Sequence, residues 1–383
     1  MRSLFISAWY PNRYDAMIGL FVQKHAQAVS LYCDVKVLYV QADERINSYE
    51  ITDQIVNGVN EIIIYYPVRP NWVFHKAIKV FRYLKAYWRG YKYLDAKKFY
   101  PEIIHANVLT RTGVIAYIYK QWKKTPYVVT EHWTRYLSKD LSYTGFFRKR
   151  LTEIVVRNAK AVMPVSKLLQ QGMLNFNLKN ENYEVVYNVV DDFFSEDRVE
   201  EKWKKKRILH ISCFNESTKN VFGLLRATRA LANRRNDFEM IIVGSGNDYE
   251  SCVEYYNLLD FPDGVIKFVG EVSPREVSVW MQQSDFFVLF SIYETASVVI
   301  AESLVAGLPI VSTPTGIVPE VLDESNGIVV EFKDEDMLCG KLDYMLKNYQ
   351  NFSRKTIREN AKDLFSFASI GKQIVAIYSK VLN

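Results

Sequence analysis

Short apolar runs alternate with amphipathic stretches along the first half of the chain. Seven runs rich in Val, Ile and Tyr have the length of buried strands. These runs are Arg2–Ala8, Asp34–Val40, Ile62–Tyr66, Ile103–Ala106, Tyr127–Thr130, Ala161–Val165 and Tyr183–Val186. The helical patterns between them are Phe21–Leu31, Val73–Lys98, Arg111–Trp122 and Phe146–Asn158. Such alternation predicts a parallel sheet that helices cover on both faces.

The same alternation restarts after a polar, charged stretch at 191–206. The predicted strands are Arg207–Ile211, Phe238–Val243, Val265–Phe268, Phe286–Phe290, Pro309–Ser312 and Gly327–Val330. The predicted helices are Asn220–Asn233, Tyr249–Leu258, Pro274–Gln283, Ser297–Ala306, Val318–Leu322 and a helical region from about Met337 to the end. This pattern predicts a second doubly wound α/β domain.

We therefore expect an α/β protein with two Rossmann-like domains, at 1–190 and 207–365. The segment 191–206 is the predicted linker, and 366–383 is a predicted C-terminal helix. Ligands of doubly wound sheets bind at the carboxyl ends of the strands, so we expect a cleft between two such edges. Functional residues should then lie in the loops that follow strands.

Composition narrows the class of protein. With 49% hydrophobic and 24% charged residues among 383, the chain is too apolar to be disordered. Its longest apolar stretches, such as Phe286–Ile292, are far shorter than the roughly 20 residues that span a bilayer. The first residues lack the pattern of a secretory signal, which favours a cytoplasmic protein.

The net charge of +6 hides an asymmetry between the two halves. Residues 1–190 contain 27 Lys and Arg against 14 Asp and Glu, a net charge of +13, whereas residues 191–383 carry −7. Halves of opposite sign indicate two domains with different partners, one of them anionic.

The four cysteines and five histidines are scattered along the chain. Their spacings match neither a disulfide framework nor a common metal motif. We therefore expect reduced cysteines, no metal site and no bound cofactor.

The strongest cluster of candidate residues lies between Ser291 and Pro309. A predicted buried strand leads into a polar loop with Glu294, and then into a helix that carries Glu302. The first N–H groups of this helix, near Ala296–Val299, suit a diphosphate. The two carboxylates could hold sugar hydroxyls beside it; alternatively, Glu294 is a loop or capping residue and Glu302 a solvated charge.

Lys219, Gly19 and the Gly244-Ser-Gly246 turn follow other predicted strands. A lysine at such a position can neutralise a diphosphate leaving group, and a glycine lets the backbone approach a phosphate or sugar. Each also has an ordinary structural interpretation, as a solvated lysine or a loop glycine. The Gly244 turn lacks the third glycine of a dinucleotide-binding fingerprint.

The chain resembles the retaining glycosyltransferases of family 4, which have the GT-B fold. The resemblance rests first on Glu294-x7-Glu302 followed by Gly307-Leu-Pro309. Further matching segments in the first half are Trp9-Tyr-Pro11, Gly19–Val22, Asp34–Val37, Ile103–Ala106, Tyr127–His132, Val162–Ser166 and Val185–Asp191. Those in the second half are Lys219-Asn220, Ile241–Gly246, Phe268–Gly270, Gly316–Glu320 and Asn326-Gly327.

The resemblance implies roles for individual residues. Glu302 would hold the nucleotide ribose, Glu294 would contact the donor sugar, and Lys219 would bind the diphosphate. His132 would orient the donor sugar. The remaining implied donor contacts are Gly19, Gly244, Gly270, Val272, Thr295, Ala296, Ser297 and Val298.

Two further implications concern the acceptor and the phosphates. Glu131 and Asp140 are candidate acceptor contacts near His132. The family usually places an arginine where this chain has Ser212-Cys213-Phe214, so one phosphate-binding cation is missing. Arg275, His210 or a cation of the first domain could replace it.

Residues 76–98 combine eight basic residues with one acid and interleaved aromatic residues. Lys85, Trp88 and Arg89 lie at helical spacing on adjoining faces. Such a helix suits an anionic membrane surface, or it packs on the sheet with a solvated basic face. Nucleic-acid binding is less favoured, because no recognised module accompanies the charge.

We therefore expect a retaining, metal-independent enzyme that transfers a sugar from a nucleotide-sugar donor to a glycan or lipid-linked acceptor in cell-surface polysaccharide synthesis. The end helix would pack back on the first domain, and domain closure would gate the reaction. A Rossmann-type oxidoreductase and a non-catalytic sugar- or lipid-binding protein are the alternatives. The sequence predicts no oligomeric state.

Overall fold

The structure is a computed structural model that describes residues 1–68, 75–137, 143–196 and 204–382. The chain forms two compact units. The N-terminal unit comprises Met1–Val189 and Phe367–Asn383, and the C-terminal unit comprises Val190–Ser366.

A seven-stranded sheet forms the centre of the N-terminal unit, in the order β3-β4-β2-β1-β5-β6-β7. Its strands are β1 (Arg2–Ser7), β2 (Asp34–Asp43), β3 (Glu50–Val56), β4 (Val59–Pro67), β5 (Ile103–Asn107), β6 (Tyr127–Glu131) and β7 (Val162–Pro164). All neighbouring strands are parallel except β3 and β4. The predicted parallel sheet is therefore confirmed.

The edge strand β3 was not predicted. It pairs antiparallel with β4 through a turn at Asn57 and Gly58, whose φ angles are +47° and +81°. Asn-Gly with both φ angles positive is the sequence signature of a tight hairpin turn. The strand lacks an apolar face because nearly all of its residues are exposed, and a search for apolar runs therefore misses it.

The helices of this unit that precede the linker region are α1 (Leu20–Ser30), α2 (His75–Ala96), α3 (Leu109–Lys123), α4 (Phe146–Asn158) and α5 (Lys167–Asn175). The start of the helix predicted at Val73–Lys98 lies outside the described residues. Helix α5 was missed, although Ser166 caps it by accepting the Leu169 N–H at 3.1 Å. The strand predicted at Tyr183–Val186 is wrong: Tyr183 makes only an isolated bridge to Val162.

The C-terminal unit contains a six-stranded, fully parallel sheet in the order β10-β9-β8-β11-β12-β13. Its strands are β8 (Lys206–Ile211), β9 (Phe238–Val243), β10 (Ile266–Gly270), β11 (Phe286–Leu289), β12 (Ile310–Ser312) and β13 (Gly327–Val329). Its helices are α6 (Glu216–Lys219), α7 (Val221–Ala232), α8 (Tyr249–Leu258), α9 (Pro274–Gln282), α10 (Val298–Val305), α11 (Val318–Val321), α12 (Glu335–Asn348) and α13 (Arg354–Phe365).

The order of the strands determines where each unit can bind a ligand. Strand β1 lies between β2 and β5, and β8 lies between β9 and β11, so the chain winds outward in both directions from each of them. Doubly wound sheets bind ligands at this switch point, beyond the carboxyl ends of the strands. The loops after β1, β6, β8 and β11 lie at these carboxyl ends.

The last helix, α14 (Phe367–Leu382), belongs to the N-terminal unit, as the family resemblance implied. It packs against α1, and the Tyr378 hydroxyl lies 2.6 Å from His105 Nδ1. A Cβ atom on Gly371 would come within 2.1 Å of the Ala28 carbonyl oxygen. Glycine therefore allows the two helices to approach this closely.

The predicted linker at 191–206 is described only in part, because residues 197–203 lie outside the described ranges. Residues Asp192–Ser195 form a short 3-10 helix that packs against α9 and α10. Phe194 is fully buried there. The described start of this segment is thus a packed part of the C-terminal unit, since burial of Phe194 holds it in place.

Across the described part of the chain, the structure contains no helix of the length and apolarity that a membrane span requires.

Gly371→Ala should destabilise the protein by about 1–3 kcal/mol, because the added methyl group meets backbone that cannot move aside without separating α14 from α1. Gly340→Ala is the matched control: it lies inside helix α12 with open space around it, so alanine should stabilise by about 0.5–1 kcal/mol. Thermal unfolding midpoints of both variants test this. A Gly371→Ala midpoint equal to the wild-type value would contradict it.

Candidate functional site

The loops after β8 and β11 meet at the switch point of the C-terminal unit. The backbone N–H of Ile292 donates to the Thr218 carbonyl oxygen at 2.8 Å, and that of Tyr293 donates to the same oxygen at 3.3 Å. These bonds join the short helix α6 to the loop that carries Glu294. The last residue of α6 is Lys219, so this junction brings the two predicted residues together.

Lys219 and Glu294 form an ion pair through Nζ and Oε1. Only 13% of the lysine side chain and 11% of the glutamate side chain are exposed. Ser291 Oγ donates to the same glutamate oxygen at 2.9 Å. A nearly buried pair of this kind is held in a defined geometry, because each charge would be costly to leave unpaired.

Helix α10 presents its N-terminus beside this pair. Ser297 precedes the helix in a left-handed conformation, with φ +56°, and its side chain does not cap the helix. Ser297 Oγ is buried and has no hydrogen-bond partner among the described residues. The first N–H groups of α10 carry partial positive charge, which suits an anionic group.

The other predicted residues of this region surround the start of α10. Thr295 and Ala296 are buried, Val298 is the first residue of the helix, and Glu302 lies half-buried in its second turn. Behind the loop, a Cβ atom on Gly316 would come within 3.1 Å of Glu294 Cβ and of the Ala296 carbonyl carbon. Gly316 therefore lets a second segment support the loop from behind, a role that the sequence did not reveal.

Gly244 and Gly246 make room for the protein's own backbone. A Cβ atom on Gly244 would lie 1.9 Å from the Ser212 carbonyl oxygen, and one on Gly246 would lie 2.5 Å from that of Phe214. The Phe214 N–H also donates to the Ser245 carbonyl oxygen at 2.8 Å. This packing explains both glycines without a nucleotide.

Gly270 is different, because a Cβ atom there would meet nothing within 4 Å. Its φ of +83° requires glycine, and its carbonyl oxygen accepts the Gly244 N–H at 2.8 Å. Val272 follows two residues later and is half-buried. The backbone near Gly270 is thus open for a ligand to approach.

Neither C-terminal candidate for the missing cation lies free beside Lys219. His210 is fully buried; its Nδ1 lies 3.0 Å from the Val288 carbonyl oxygen and its Nε2 lies 2.9 Å from Ser212 Oγ. Burial lowers the pKa of His210 to about 4, so the ring is neutral. Arg275 is largely exposed, and its Nη1 lies 3.7 Å from Glu196 Oε1. Their suggested role as replacement cations finds no support in these contacts.

In the N-terminal unit, Gly19 precedes α1 with φ +69°. A Cβ atom on it would lie 2.3 Å from the Trp9 carbonyl oxygen and 2.6 Å from the Tyr10 nitrogen. The loop after β1 therefore requires glycine to close on itself. This packing gives Gly19 a structural role, whatever ligand approaches the loop.

His132 lies at the carboxyl end of β6 and is 9% exposed. Its Nε2 lies 3.4 Å from Asn107 Oδ1, and its Nδ1 has no partner among the described residues. Burial, reinforced by the nearby His25 and His105, lowers its pKa well below the ordinary value. The Asn188 side chain opposes this shift. The ring stays neutral, and a neutral imidazole can donate one hydrogen bond and accept another.

Glu131 is placed differently from the prediction. It is fully buried, and its carboxylate accepts the N–H groups of Leu109 at 2.9 Å, His132 at 2.8 Å and Trp133 at 2.8 Å. Burial outweighs these bonds and raises its pKa to about 7. Its oxygens fasten the loop after β6 to the start of α3, so a contact with an acceptor does not fit. The other candidate, Asp140, lies outside the described residues.

Sequence reasoning missed an aromatic cluster at this edge. The Trp9 ring lies 5.1 Å from the Trp133 ring and 6.4 Å from that of Phe21, and the Phe21 ring lies 4.4 Å from that of His132. Trp9, Phe21 and Trp133 are each partly exposed. Partly exposed rings are common partners of sugar rings; the neighbouring segments Trp9-Tyr-Pro11 and His132-Trp133 were the available signal.

The predicted membrane-facing residues of α2, two basic and one aromatic, differ in their exposure. Trp88 and Lys85 are exposed, and the Lys92 ammonium lies 4.3 Å from the Trp88 ring. Arg89 is half-buried, with its guanidinium 4.3 Å from the Tyr49 ring. Arg89 therefore has a packing role as well as a charge.

Within the described ranges, His, Cys, Asp and Glu side chains form no group of three or more that could hold a metal ion.

Two family models match the chain. One is described as glycosyl transferases group 1 and matches residues 192–364. The other is described as a glycosyl transferase 4-like domain and matches residues 28–189. Each corresponds closely to one structural unit.

Curated relatives and solved structures resemble the chain over most of its length. N-acetyl-alpha-D-glucosaminyl L-malate synthase of Bacillus anthracis is 25% identical over 74% of this chain and 75% of its own. Alpha-monoglucosyldiacylglycerol synthase of Streptococcus pneumoniae is 20% identical over 94% and 85%. Sucrose-phosphate synthase of Thermosynechococcus elongatus has a TM-score of 0.76 at 16% identity, covering 100% and 99%. HepE of Anabaena with UDP and glucose has a TM-score of 0.73 at 18% identity, covering 99% of each chain.

Acidification should destabilise the fold through His210. The pKa of His210 is about 4 in the folded protein and about 6.5 in the unfolded chain. Between pH 6.5 and pH 4, His210 is therefore protonated in the unfolded chain but neutral in the folded protein. Stability therefore falls as the pH falls through this range. Since Gln keeps a donor and an acceptor, His210→Gln should show a shallower fall of the urea unfolding midpoint. Equal slopes in both proteins would contradict the assignment.

Proposed function

We propose a donor site, a mechanism and an acceptor class for this chain on the premise that it belongs to the group 1 glycosyltransferases of GT-B fold. It transfers a sugar with retention from a nucleotide-sugar donor, and the C-terminal unit binds that donor. The ion pair of Lys219 and Glu294 beside the N-terminus of α10 carries this proposal. The ion pair and the helix end together place a cation, a carboxylate and backbone N–H groups at one switch point.

In this proposal, the donor diphosphate binds between Lys219 and the first N–H groups of α10. Both stabilise the negative charge that grows on the leaving phosphate as the glycosidic bond breaks. No metal ion is needed for this step, because the lysine and the helix supply the positive charge. Ser297 Oγ, buried and without a partner among the described residues, is placed to donate a further hydrogen bond.

Glu294 would accept hydroxyl groups of the donor sugar, and Glu302 those of the ribose. The acceptor hydroxyl attacks the anomeric carbon on the same face from which the leaving group departs. Its proton passes to the departing phosphate oxygen. The protein then acts mainly by positioning and charge stabilisation. His132, which is neutral, would contact a hydroxyl group of the sugar.

The relatives support the choice of donor and stereochemistry. HepE is seen with UDP and glucose, which makes a uridine nucleotide the first donor to test. Two curated relatives are named for α-linked products. Such products arise with retention when the nucleotide sugar is itself α-linked. The relative named for a diacylglycerol product supports a lipid-linked acceptor, alongside a glycan.

Calorimetric titration with UDP-, GDP- and ADP-sugars, in buffer containing EDTA, tests the donor site. Lys219→Met should weaken binding of the preferred nucleotide about tenfold or more, because a charged hydrogen bond is lost. Glu294→Gln frees Lys219 from its ion pair, so UDP binding should be unchanged or tighter while turnover falls about 100-fold.

Lys347→Met is the matched control, because Lys347 pairs with Asp343 on the exposed side of α12. It should bind and turn over like the wild type. Failure of all three nucleotide sugars to bind would refute the transferase proposal. Binding without turnover over a panel of acceptors would instead favour a non-catalytic protein.

We also propose that the N-terminal unit contacts an anionic membrane. On α2, Phe81, Leu84 and Trp88 are exposed at helical spacing beside Lys85. Aromatic rings among cations suit the headgroup region of a bilayer. This face supports the lipid-linked acceptor and the site of action at the inner face of a membrane.

Helix α4 adds a feature that the sequence analysis did not single out. Phe146 and Phe147 are 78% and 87% exposed and are followed directly by Arg148-Lys149-Arg150. Tyr91 of α2 stacks on Tyr119 of α3 at 4.3 Å, and α3 packs on α4, so the three helices lie side by side. The first turn of α4 therefore adds exposed aromatic and basic residues to a unit whose helix α2 also exposes them.

The double variant Phe146→Ser/Phe147→Ser should weaken binding to vesicles containing anionic lipid about tenfold or more, because two phenyl rings no longer enter the interface. Vesicle flotation measures this, with purely zwitterionic vesicles for comparison. Leu258→Ser is the control, since Leu258 is 80% exposed on the C-terminal unit. Equal flotation of the wild type and the double variant would refute a role for α4.

A further inference from the structure

An arginine with an unused hydrogen-bond donor lies just after β6, and the buried Glu131 attracts it without forming a direct ion pair. Arg135 belongs to the 3-10 turn Thr134–Tyr136, and no ion pair or hydrogen bond joins it to another of the described residues. Its guanidinium carbon lies 3.2 Å from the centroid of the Trp133 ring. Its Nε is buried and has no hydrogen-bond partner in the described ranges. The indole thus fixes the orientation of a guanidinium whose donors are unused.

A second arginine, Arg111, lies on the helix turn that Glu131 joins to this loop. The carboxylate of Glu131 accepts the N–H of Leu109 with Oε2 and that of Trp133 with Oε1. One carboxylate therefore holds the first turn of α3 against the turn after β6. Arg111 follows Leu109 by two residues, and Arg135 follows Trp133 by two.

Among the described residues of this corner, the cations outnumber the acids. Arg111 is exposed and has no acidic partner among the residues that the structure describes. Burial lowers the pKa of Arg135; Tyr136 and Glu131 oppose this shift, and the positive charges of Arg148 and Arg111 add to it. Glu131, the acid nearest to Arg135 in these contacts, already accepts three backbone N–H groups. The positive end of α3 adds to the excess.

Like charges held together in a rigid corner are unfavourable unless an anion binds between them. We propose that Arg135 and Arg111 form a subsite for an oxyanion, a phosphate or a carboxylate, carried by the acceptor. The planar fork of a guanidinium matches such a group through two parallel hydrogen bonds. Trp9 extends the surface, with its ring 5.1 Å from that of Trp133. The assignment of the anion to an acceptor rests on the proposed glycosyl transfer.

Calorimetric titration of the full chain with inorganic phosphate and with malonate tests the subsite. Saturating UDP is present throughout, so that the donor site is occupied. We expect the wild type to bind at least one of the two anions, Arg135→Gln to bind it about tenfold or more weakly, and Arg135→Lys to lie between them, because lysine keeps the charge but loses the fork.

Arg157→Gln is the control, because Arg157 is an exposed cation in the last turn of α4. It should bind the anion like the wild type. An unchanged UDP affinity and thermal midpoint in Arg135→Gln exclude a folding defect. Should the midpoint fall, Arg111→Gln serves as the second variant, since an exposed side chain can be exchanged without disturbing the core. Equal anion affinity of the wild type and a folded variant, or no binding of either anion by the wild type, would overturn the proposal.

A further arm separates the sources of the anion. Dihexanoyl phosphatidic acid, which is soluble below its micellar concentration, presents the phosphate on a lipid. Tighter binding than inorganic phosphate would support a lipid headgroup, and equal binding would support a free or sugar-borne anion. Failure of the wild type to bind any nucleotide sugar would refute the proposed glycosyl transfer. Binding of phosphate or malonate by Lys219→Met, measured without UDP, would still support the anion subsite.

Discussion

The burial of a parallel sheet on both faces is the constraint on which the rest of this structure depends. Every residue of β5, β6, β11 and β12 is buried, because helices cover both sides of each sheet. Polar groups that must meet a ligand can therefore project only where strands end. His132 follows β6 in one unit and Glu294 lies in the loop after β11 in the other, so both candidate residues lie where a strand has ended.

At the C-terminal edge, a charge pair and a helix end act together. Lys219 and Glu294 neutralise each other, which lowers the free-energy cost of holding both charges in a nearly buried place. A diphosphate would compete with Glu294 for the lysine and find the α10 N–H groups beside it. The pair thus keeps the site ordered without filling the helix end, where Ser297 has a left-handed backbone and leaves its hydroxyl unused.

The glycines show how one residue type serves different purposes. Gly244 and Gly371 admit neighbouring backbone, whereas Gly270 has open space around its Cα atom. The sequence does not distinguish these three positions, because it does not show which atoms lie beside each glycine in the folded protein. The same limit explains Glu131, whose position at a strand end suggested a ligand contact. Its three backbone partners lie one, two and twenty-two residues away, and only the fold brings the distant one near.

The sequence by itself determined both parallel sheets, nearly all their strands, and the loops that hold Lys219, Glu294 and His132, because apolar periodicity and strand–helix alternation are local properties of the chain. It missed the edge strand Glu50–Val56, which has no apolar face. Only the tertiary structure decided that Lys219 and Glu294 pair, that Glu131 is buried with three backbone N–H partners, and that these bonds join the turns preceding Arg111 and Arg135. Those outcomes depend on distances between loops far apart in sequence, which burial of both sheets fixes and local pattern does not record.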